Sequence, residues 1–182
     1  MSDFIIDNRT LIKYTGTSEE VIIPNDITII GAFAFVGSKV NCVIIPEGVV
    51  EIAHDAFYEC IHLTSVSMPK SVKTIGPRTF GYCRNLKDIV IPEGVRYIGE
   101  EAFIGCSGLT SVTMRYGVIE IASRCFANCA SLTSFFIPNS VKRMGYGLFE
   151  NCRNLTSVNL PKHAKDNTKK ILGQKSLIVH YK

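Results

Sequence analysis

No apolar run in the 182-residue chain approaches the roughly 18 to 20 residues that would span a bilayer, so a membrane-inserted helix is not expected. The opening MSDFIIDNRT has neither a basic region nor a sustained apolar stretch, so it does not read as a signal peptide. The chain either stays inside the cell, in the cytoplasm, or begins after a removed leader. Short cysteine pairs of the kind structural zinc wants are missing too: Cys125 and Cys129 form C-x₃-C, and Cys60 with His62 is a lone C-x-H. There is no G-x-S-x-G elbow, and G-Y-G at 145–147 lacks the strand and helix context of a nucleotide loop. His54, His62, His163 and His180 share no spacing and read as surface residues. Glu100 with Glu101, and Asp55 beside His54, read as ordinary charged loop residues. No catalytic residue, cofactor or metal site is expected, and an enzyme is not.

What is present is globular: 46% of the residues are apolar and 20% are charged. The length suits one domain or one repeat array. The net charge of +4 is local, because residues 162–182 hold six lysines against one acid and the remainder comes to −1. A nucleic-acid reader would spread its cations over a face with interleaved aromatics, so no nucleic-acid partner is expected. This tail also contains SLIVHY, a strand-like segment, and reads as a solvated terminal cap.

The chain repeats itself. Pro24, Pro46, Pro69, Pro92, Pro138 and Pro161 recur at steps of 22 once and 23 thereafter, with Arg115 standing where a proline would fall. Phe35, Phe57, Phe80, Phe103, Phe126 and Phe149 keep the same phase, as do Leu63, Leu86, Leu109, Leu132 and Leu155. In LTSVSMPKSVKTIGPRTFGYC, residues 63–83, the first stretch alternates apolar and small polar residues at strand spacing, and proline stops the ladder because it has no N–H. A second, shorter edge places Val72 and Ile75 inward and ends at Gly76, which can take the positive φ of a tight corner. GEEAFIGC then reads as a short helix or 3₁₀ turn that swings the chain back. One such unit cannot bury its own apolar side, whereas stacked copies make a continuous core.

Copies such as LTSVSMPKSVKTIGPRTFGYC and LKDIVIPEGVRYIGEEAFIGC resemble the BspA-like class of leucine-rich repeats, with its Leu, Ile-Pro, Val, Ile-Gly, Ala-Phe, Cys rhythm. The resemblance implies a single α/β domain, a leucine-rich-repeat right-handed solenoid. It would be strand-rich with short helical or 3₁₀ turns, of about six coils plus terminal caps. Residues 1–18 would be the N-terminal cap, 19–161 the repeats and 162–182 the basic C-terminal cap; FIIDNRTLIKYTGTSEEVIIP looks like the family's hairpin-like cap. Family members are commonly surface or secreted proteins, which implies adhesion to a host matrix protein, a cell-surface protein or a glycan. Cys125 and Leu148 depart from the pattern where alanine is usual, and Ser38 holds the first copy's cysteine position.

Cys60, Cys83, Cys106, Cys129 and Cys152 form one phase, each three residues after a repeat phenylalanine. A catalytic thiol needs one copy with a lowered pKa; five equivalents fit a structural row. Coils about 4.8 Å apart with parallel Cα–Cβ vectors hold Cβ atoms beyond the usual disulfide separation, so free, buried thiols are expected.

Function in a solenoid falls to residues between the fixed core positions. On the first strand Val66 with Met68, Ile89 with Ile91, Val112 with Met114, and Phe135 with Ile137 point inward. The alternates face out and are the candidate partner-binding residues: Ser65, Ser67, Asp88, Val90, Ser111, Thr113, Ser134, Phe136 and Asn159, with Ser157 beside them. Arg96 and Tyr97, on a second outward row, join them. The leading expectation is a non-enzymatic interaction module holding a protein or glycan on this face. The alternatives are an intracellular thiol protein that binds metal or senses redox state, and a structural spacer.

Overall fold

The computed structural model describes residues 3–173 and 177–182. Strands β1 (Phe4–Asp7) and β2 (Thr10–Tyr14) form an antiparallel hairpin. Its two-residue turn, Asn8 and Arg9, has positive φ at both positions (45° and 63°), the backbone that suits the twist of paired strands. The following coils each add one strand to each of two rows. In chain order these are β3 (Glu20–Ile22), β4 (Ile29–Ile30), β5 (Cys42–Ile44), β6 (Glu51–Ile52), β7 (Ser65–Ser67) and β8 (Thr74–Ile75). They continue as β9 (Asp88–Ile91), β10 (Tyr97–Ile98), β11 (Ser111–Met114), β12 (Glu120–Ile121), β13 (Ser134–Phe136), β14 (Arg143–Met144) and β15 (Ser157–Leu160). A 3₁₀ turn (Lys162–Asn167), a short helix α1 (Thr168–Leu172) and β16 (Ile178–Tyr181) close the C-terminal end.

The solenoid therefore has about seven turns and little helix. The second row is one parallel sheet from β2 through β14, extended antiparallel by β1. The first row is parallel too, but its hydrogen bonding divides it into β3-β5-β7, β9-β11 and β13-β15-β16.

The segment expected to be a short helix or 3₁₀ turn is a series of turns. Backbone N–H groups alternate in direction: Tyr58 and Cys60 donate within the coil to Asp55 and Phe57, while Phe57 and Glu59 donate to Thr79 and Gly81 of the next coil. Two positions per coil are left-handed. One row is Phe33, Asp55, Arg78, Glu101, Arg124 and Gly147; the other is Gly37, Glu59, Tyr82, Gly105, Asn128 and Asn151. Alternating bonds of this kind cannot be made by a continuous helix, whose N–H groups all point along one axis. Gly76 also differs from expectation, since the positive φ falls on Arg78. A Cβ on Gly76 would lie 2.6 Å from the His54 backbone nitrogen, so glycine there permits close packing of coils rather than a corner.

The core is one cluster filled by in-phase ladders. Phe35, Phe57, Phe80, Phe103, Phe126 and Phe149 are fully buried and stack at ring spacings of 4.7, 5.2, 5.3, 5.3 and 5.9 Å. Burying each ring contributes about 2 to 3 kcal/mol before the cost of ordering the chain.

Candidate interaction face

The first strand row positions the expected contact residues by simple alternation. Ser65, Ser67, Asp88, Val90, Ser111, Thr113, Ser134 and Phe136 are exposed, while Ile89, Ile91, Met114, Phe135 and Ile137 are buried; Val66, Met68 and Val112 are packed partly against the core. Parallel register aligns Asp88 with Ser111, Val90 with Thr113, Ser134 with Ser157, and Phe136 with Asn159. Asn159 and Ser157 are only half exposed, being flanked by β16, where His180 pairs with Asn159. The result is two parallel outward rows. One is mostly hydroxyl, and the other carries Ile22, Ile44, Val90 and Phe136 as exposed apolar residues.

Two breaks in hydrogen bonding give this face its relief, and neither is visible as a motif. Between β11 and β13 a cleft of about 190 Å³ is lined by Thr110, Ser111, Val112, Ser134, Phe135, Phe136 and Asn159. Four of the expected residues meet there. Beside this break stands Phe135, where other coils place Val66, Ile89, Val112 or Val158. Its ring packs 4.7 Å from Phe126 and 4.8 Å from Phe149, so extra bulk lies between the coils of β11 and β13. The signal was present in the sequence as a large residue in a Val/Ile phase. Between β7 and β9 a second cleft, of about 360 Å³, is lined by Met68, Lys70, Val90, Pro92, Glu93 and Arg115. A Lys70–Glu93 ion pair of 3.0 Å lies on its wall, and Arg115 contributes from the position that lacks proline.

Phe136 is 38% exposed, and the Lys182 ammonium lies 5.5 Å from its ring centroid. The ring thus meets both solvent and the C-terminal cap. Tyr97 belongs to the other sheet, in β10, and Arg96 immediately precedes it. The Arg96 guanidinium donates to the carbonyls of Glu93 and Gly117, at 2.7 and 3.2 Å, and ties neighbouring loops together. Tyr97 is half-buried beside Thr74 and Glu120.

All seven cysteines are thiols without disulfides. The five in phase point into the core, and each donates to the carbonyl of a phenylalanine on the preceding coil. Cys60 donates to Phe35, Cys83 to Phe57, Cys106 to Phe80, Cys129 to Phe103 and Cys152 to Phe126, at 2.9 to 3.2 Å. Burial pushes Cys60 up to about 11 and Cys106 up to about 12. Burial pushes Cys83 and Cys129 up as well, whereas a hydrogen bond with Cys129 holds Cys152 below the ordinary thiol range; the four raised thiols have the properties of packing residues that also donate to a carbonyl. Ser38 takes the first coil's place and lies 3.5 Å from the Cys60 sulfur.

Asp55 is not an ordinary loop acid. It is 2% exposed and accepts two hydrogen bonds of 2.8 Å from Arg78 and lies 3.0 Å from His54 Nδ1. Burial pushes its carboxyl up, but Arg78 and His54 outweigh that and hold it below its usual range. A second pair, two coils further on, lies at Glu101 and Arg124, and Arg124 also reaches Glu150. Asp55, Arg78, Glu101 and Arg124 share a phase, so opposite charges alternate up one side of the rod. Reading that phase for sign would have revealed it. The ladder binds coil to coil, with Asp55 held between Arg78 of the next coil and His54.

Among the described residues no group of three or more His, Cys, Asp or Glu is placed to hold a metal ion, and no helix is long and apolar enough to cross a membrane.

The BspA type leucine rich repeat region matches the chain in six copies, over residues 6–114 and 73–178. A leucine rich cell surface protein from Faecalibacterium prausnitzii A2-165 is similar at 30% identity and a TM-score of 0.61, over 85% of this chain and 52% of that one. A leucine rich repeat protein of T. pallidum is similar at 26% identity and a TM-score of 0.66, over 94% of this chain and 91% of that one. The pneumococcal vaccine antigen PcpA shares the fold, with 22% identity and a TM-score of 0.76 over 98% of this chain and 46% of that protein. This chain therefore spans about half the length of the first and third of these proteins. No curated protein sequence matches it. Six matched copies running in step with the phenylalanine and cysteine ladders place this chain in the BspA-type leucine-rich repeat family.

Proposed function

We propose that the chain is a non-enzymatic interaction module that holds a protein partner on its first strand row. The observation that carries this reading is Phe136, the aromatic member of an exposed apolar row that runs beside a hydroxyl-rich one, set at the rim of the β11/β13 cleft. Aromatic anchors beside small pockets supply much of the energy at protein interfaces, while the surrounding serines and threonines exclude water and fix orientation. The family is one of repeat scaffolds, commonly used for protein interaction, rather than of known enzymes. The cell-surface name of the Faecalibacterium relative supports adhesion at a surface, to a matrix or cell-surface protein, as the setting. A thiol-based metal or redox role finds no support, because the in-phase thiols face the core and donate to carbonyls.

Extracellular matrix and cell-surface proteins passed over the immobilised chain would identify the partner. Phe136→Ala combined with Val90→Ser should then weaken its binding at least about fivefold, with melting temperature unchanged. Unaltered affinity would remove this face from consideration.

A further inference from the structure

A second concave site lies at the C-terminal end, away from the first strand row. The edge strand β14 is fixed by the Lys142 and Arg143 amides, which donate to the Ile119 carbonyl at 2.8 and 3.1 Å. Across from it, α1 is tied to the last coil through Gly147 to the Lys170 carbonyl and Leu148 to the Ile171 carbonyl, at 2.9 and 2.7 Å. Between them is a cleft of about 390 Å³ lined by Lys142, Arg143, Met144, His163, Ala164, Asn167, Lys170 and Ile171. No carboxylate lines it. Half-buried Met144, with the edges of the buried Ala164 and Ile171, gives a small apolar floor beneath a larger polar and cationic rim.

The charges on this rim are unequal. Arg143 is paired with Glu120, which neutralises much of it. Lys142 donates to the Asn139 carbonyl at 3.0 Å, a contact that positions the ammonium without cancelling its charge. Lys142 and Lys170 have no carboxylate within ion-pair distance among the described residues. Asn167 and the His163 ring add polar groups that need no net charge. The described cap carries Lys162, Lys165, Lys169, Lys170 and Lys182 against Asp166 alone, so the local field is positive. Asp166 lines the neighbouring, larger cleft with Lys165, Lys169 and Leu172, and its charge sets that cleft apart.

A volume of this size exceeds what a lone oxyanion fills and falls in the range of small-ligand sites. An apolar floor below a cationic rim suits a ring that carries an anionic substituent: the ring lies on Ala164, Met144 and Ile171, and the oxyanion takes charge-assisted hydrogen bonds from Lys142 and Lys170. We infer that this cleft binds a saccharide bearing a sulfate or phosphate ester. The two esters share the same tetrahedral oxyanion chemistry, and the test separates them.

Calorimetric titration of the whole chain would use four probes: a sulfated heparin disaccharide, glucose 6-phosphate, glucose and inorganic phosphate. One ester or both should bind in the range of about 10 μM to 1 mM, well ahead of glucose and of phosphate alone. Raising salt from about 50 to 300 mM should weaken that binding severalfold. Lys142→Glu with Lys170→Glu should reduce affinity at least about tenfold, while Lys87→Glu, on a distant exposed loop, should leave it unchanged. Amide shifts of the unaltered protein give a readout independent of any variant, and should centre on Asn167, Lys170 and Arg143. The inference is overturned if neither ester binds, if glucose or phosphate alone binds as tightly, if the double variant binds normally while folded, or if the shifts fall elsewhere.

Discussion

Phe135 stands between Phe126 and Phe149, and the 5.9 Å spacing of that pair is the widest of the described phenylalanine stack. Replacing the wedge with the residue type of its phase, Phe135→Val, should let β13 approach β11. Amide exchange on β11 and β13 should slow severalfold, and stability should fall by less than the roughly 3 to 5 kcal/mol typical of losing a core phenylalanine. Unchanged exchange would show that something other than bulk keeps the strands apart.

Thiol chemistry offers a direct count. Only Cys42 is partly exposed, so in the native protein at pH 8 a disulfide reagent should label one thiol quickly and all seven after denaturation. For Cys106, held at about 12, the thiolate fraction is about a thousandfold below that of an ordinary cysteine, before steric exclusion is counted. Cys106→Ala should cost about 1 to 2 kcal/mol by emptying a packed position and removing one of two hydrogen bonds to the Phe80 carbonyl, which keeps the Cys83 amide, with Cys106→Ser less costly because a hydroxyl can donate in its place.

The Asp55 carboxylate is buried and its guanidinium partner half exposed, so the two truncations should differ. Arg78→Met leaves a buried carboxylate with His54 alone and should cost about 2 to 3 kcal/mol, whereas Asp55→Asn leaves Arg78 able to turn to water and should cost less. The sign of the pH dependence follows from the lowered pKa of Asp55. Its stabilisation is complete above the unfolded carboxyl pKa of about 4 and is lost as pH falls through the lower folded value. Denaturant melts of wild type and Asp55→Asn should converge as pH drops below about 4.

Gly76→Ala places a methyl against the His54 nitrogen and the Ala53 carbonyl carbon, both backbone atoms that cannot turn aside. A loss of about 1 to 3 kcal/mol is expected in thermal unfolding, compared with about 0.5 to 1 for Ala122→Gly at the same phase.

Much of the architecture was legible because each core ladder is written as one residue type at one spacing. Pro46, Pro69 and Pro92 mark strand ends, Phe57, Phe80 and Phe103 mark the stack, and Cys60 to Cys152 mark the thiol row. Inward and outward positions on the first strand followed from alternation alone. Of the two readings of GEEAFIGC, a short helix or a 3₁₀ turn, composition could not exclude the helix; inter-coil hydrogen bonds and the left-handed Glu101 and Gly105 do. Asp55 was misread because burial of a loop carboxylate depends on Arg78, one coil away, and local composition does not report such a partner. The clefts were missed since a break in strand pairing is a collective response to packing, with Phe135 beside one break and no side chain of comparable size beside the other.

The breaks fall between β7 and β9 and between β11 and β13, two coils apart, which is about 10 Å along the rod. A partner segment three or four extended residues long covers that distance. Engagement of both notches by one chain would make the second contact intramolecular, at a high effective concentration, so two weak grips would act as a firm one. Inserting or deleting a single coil between them would change that span by about 5 Å and break the match without touching either notch.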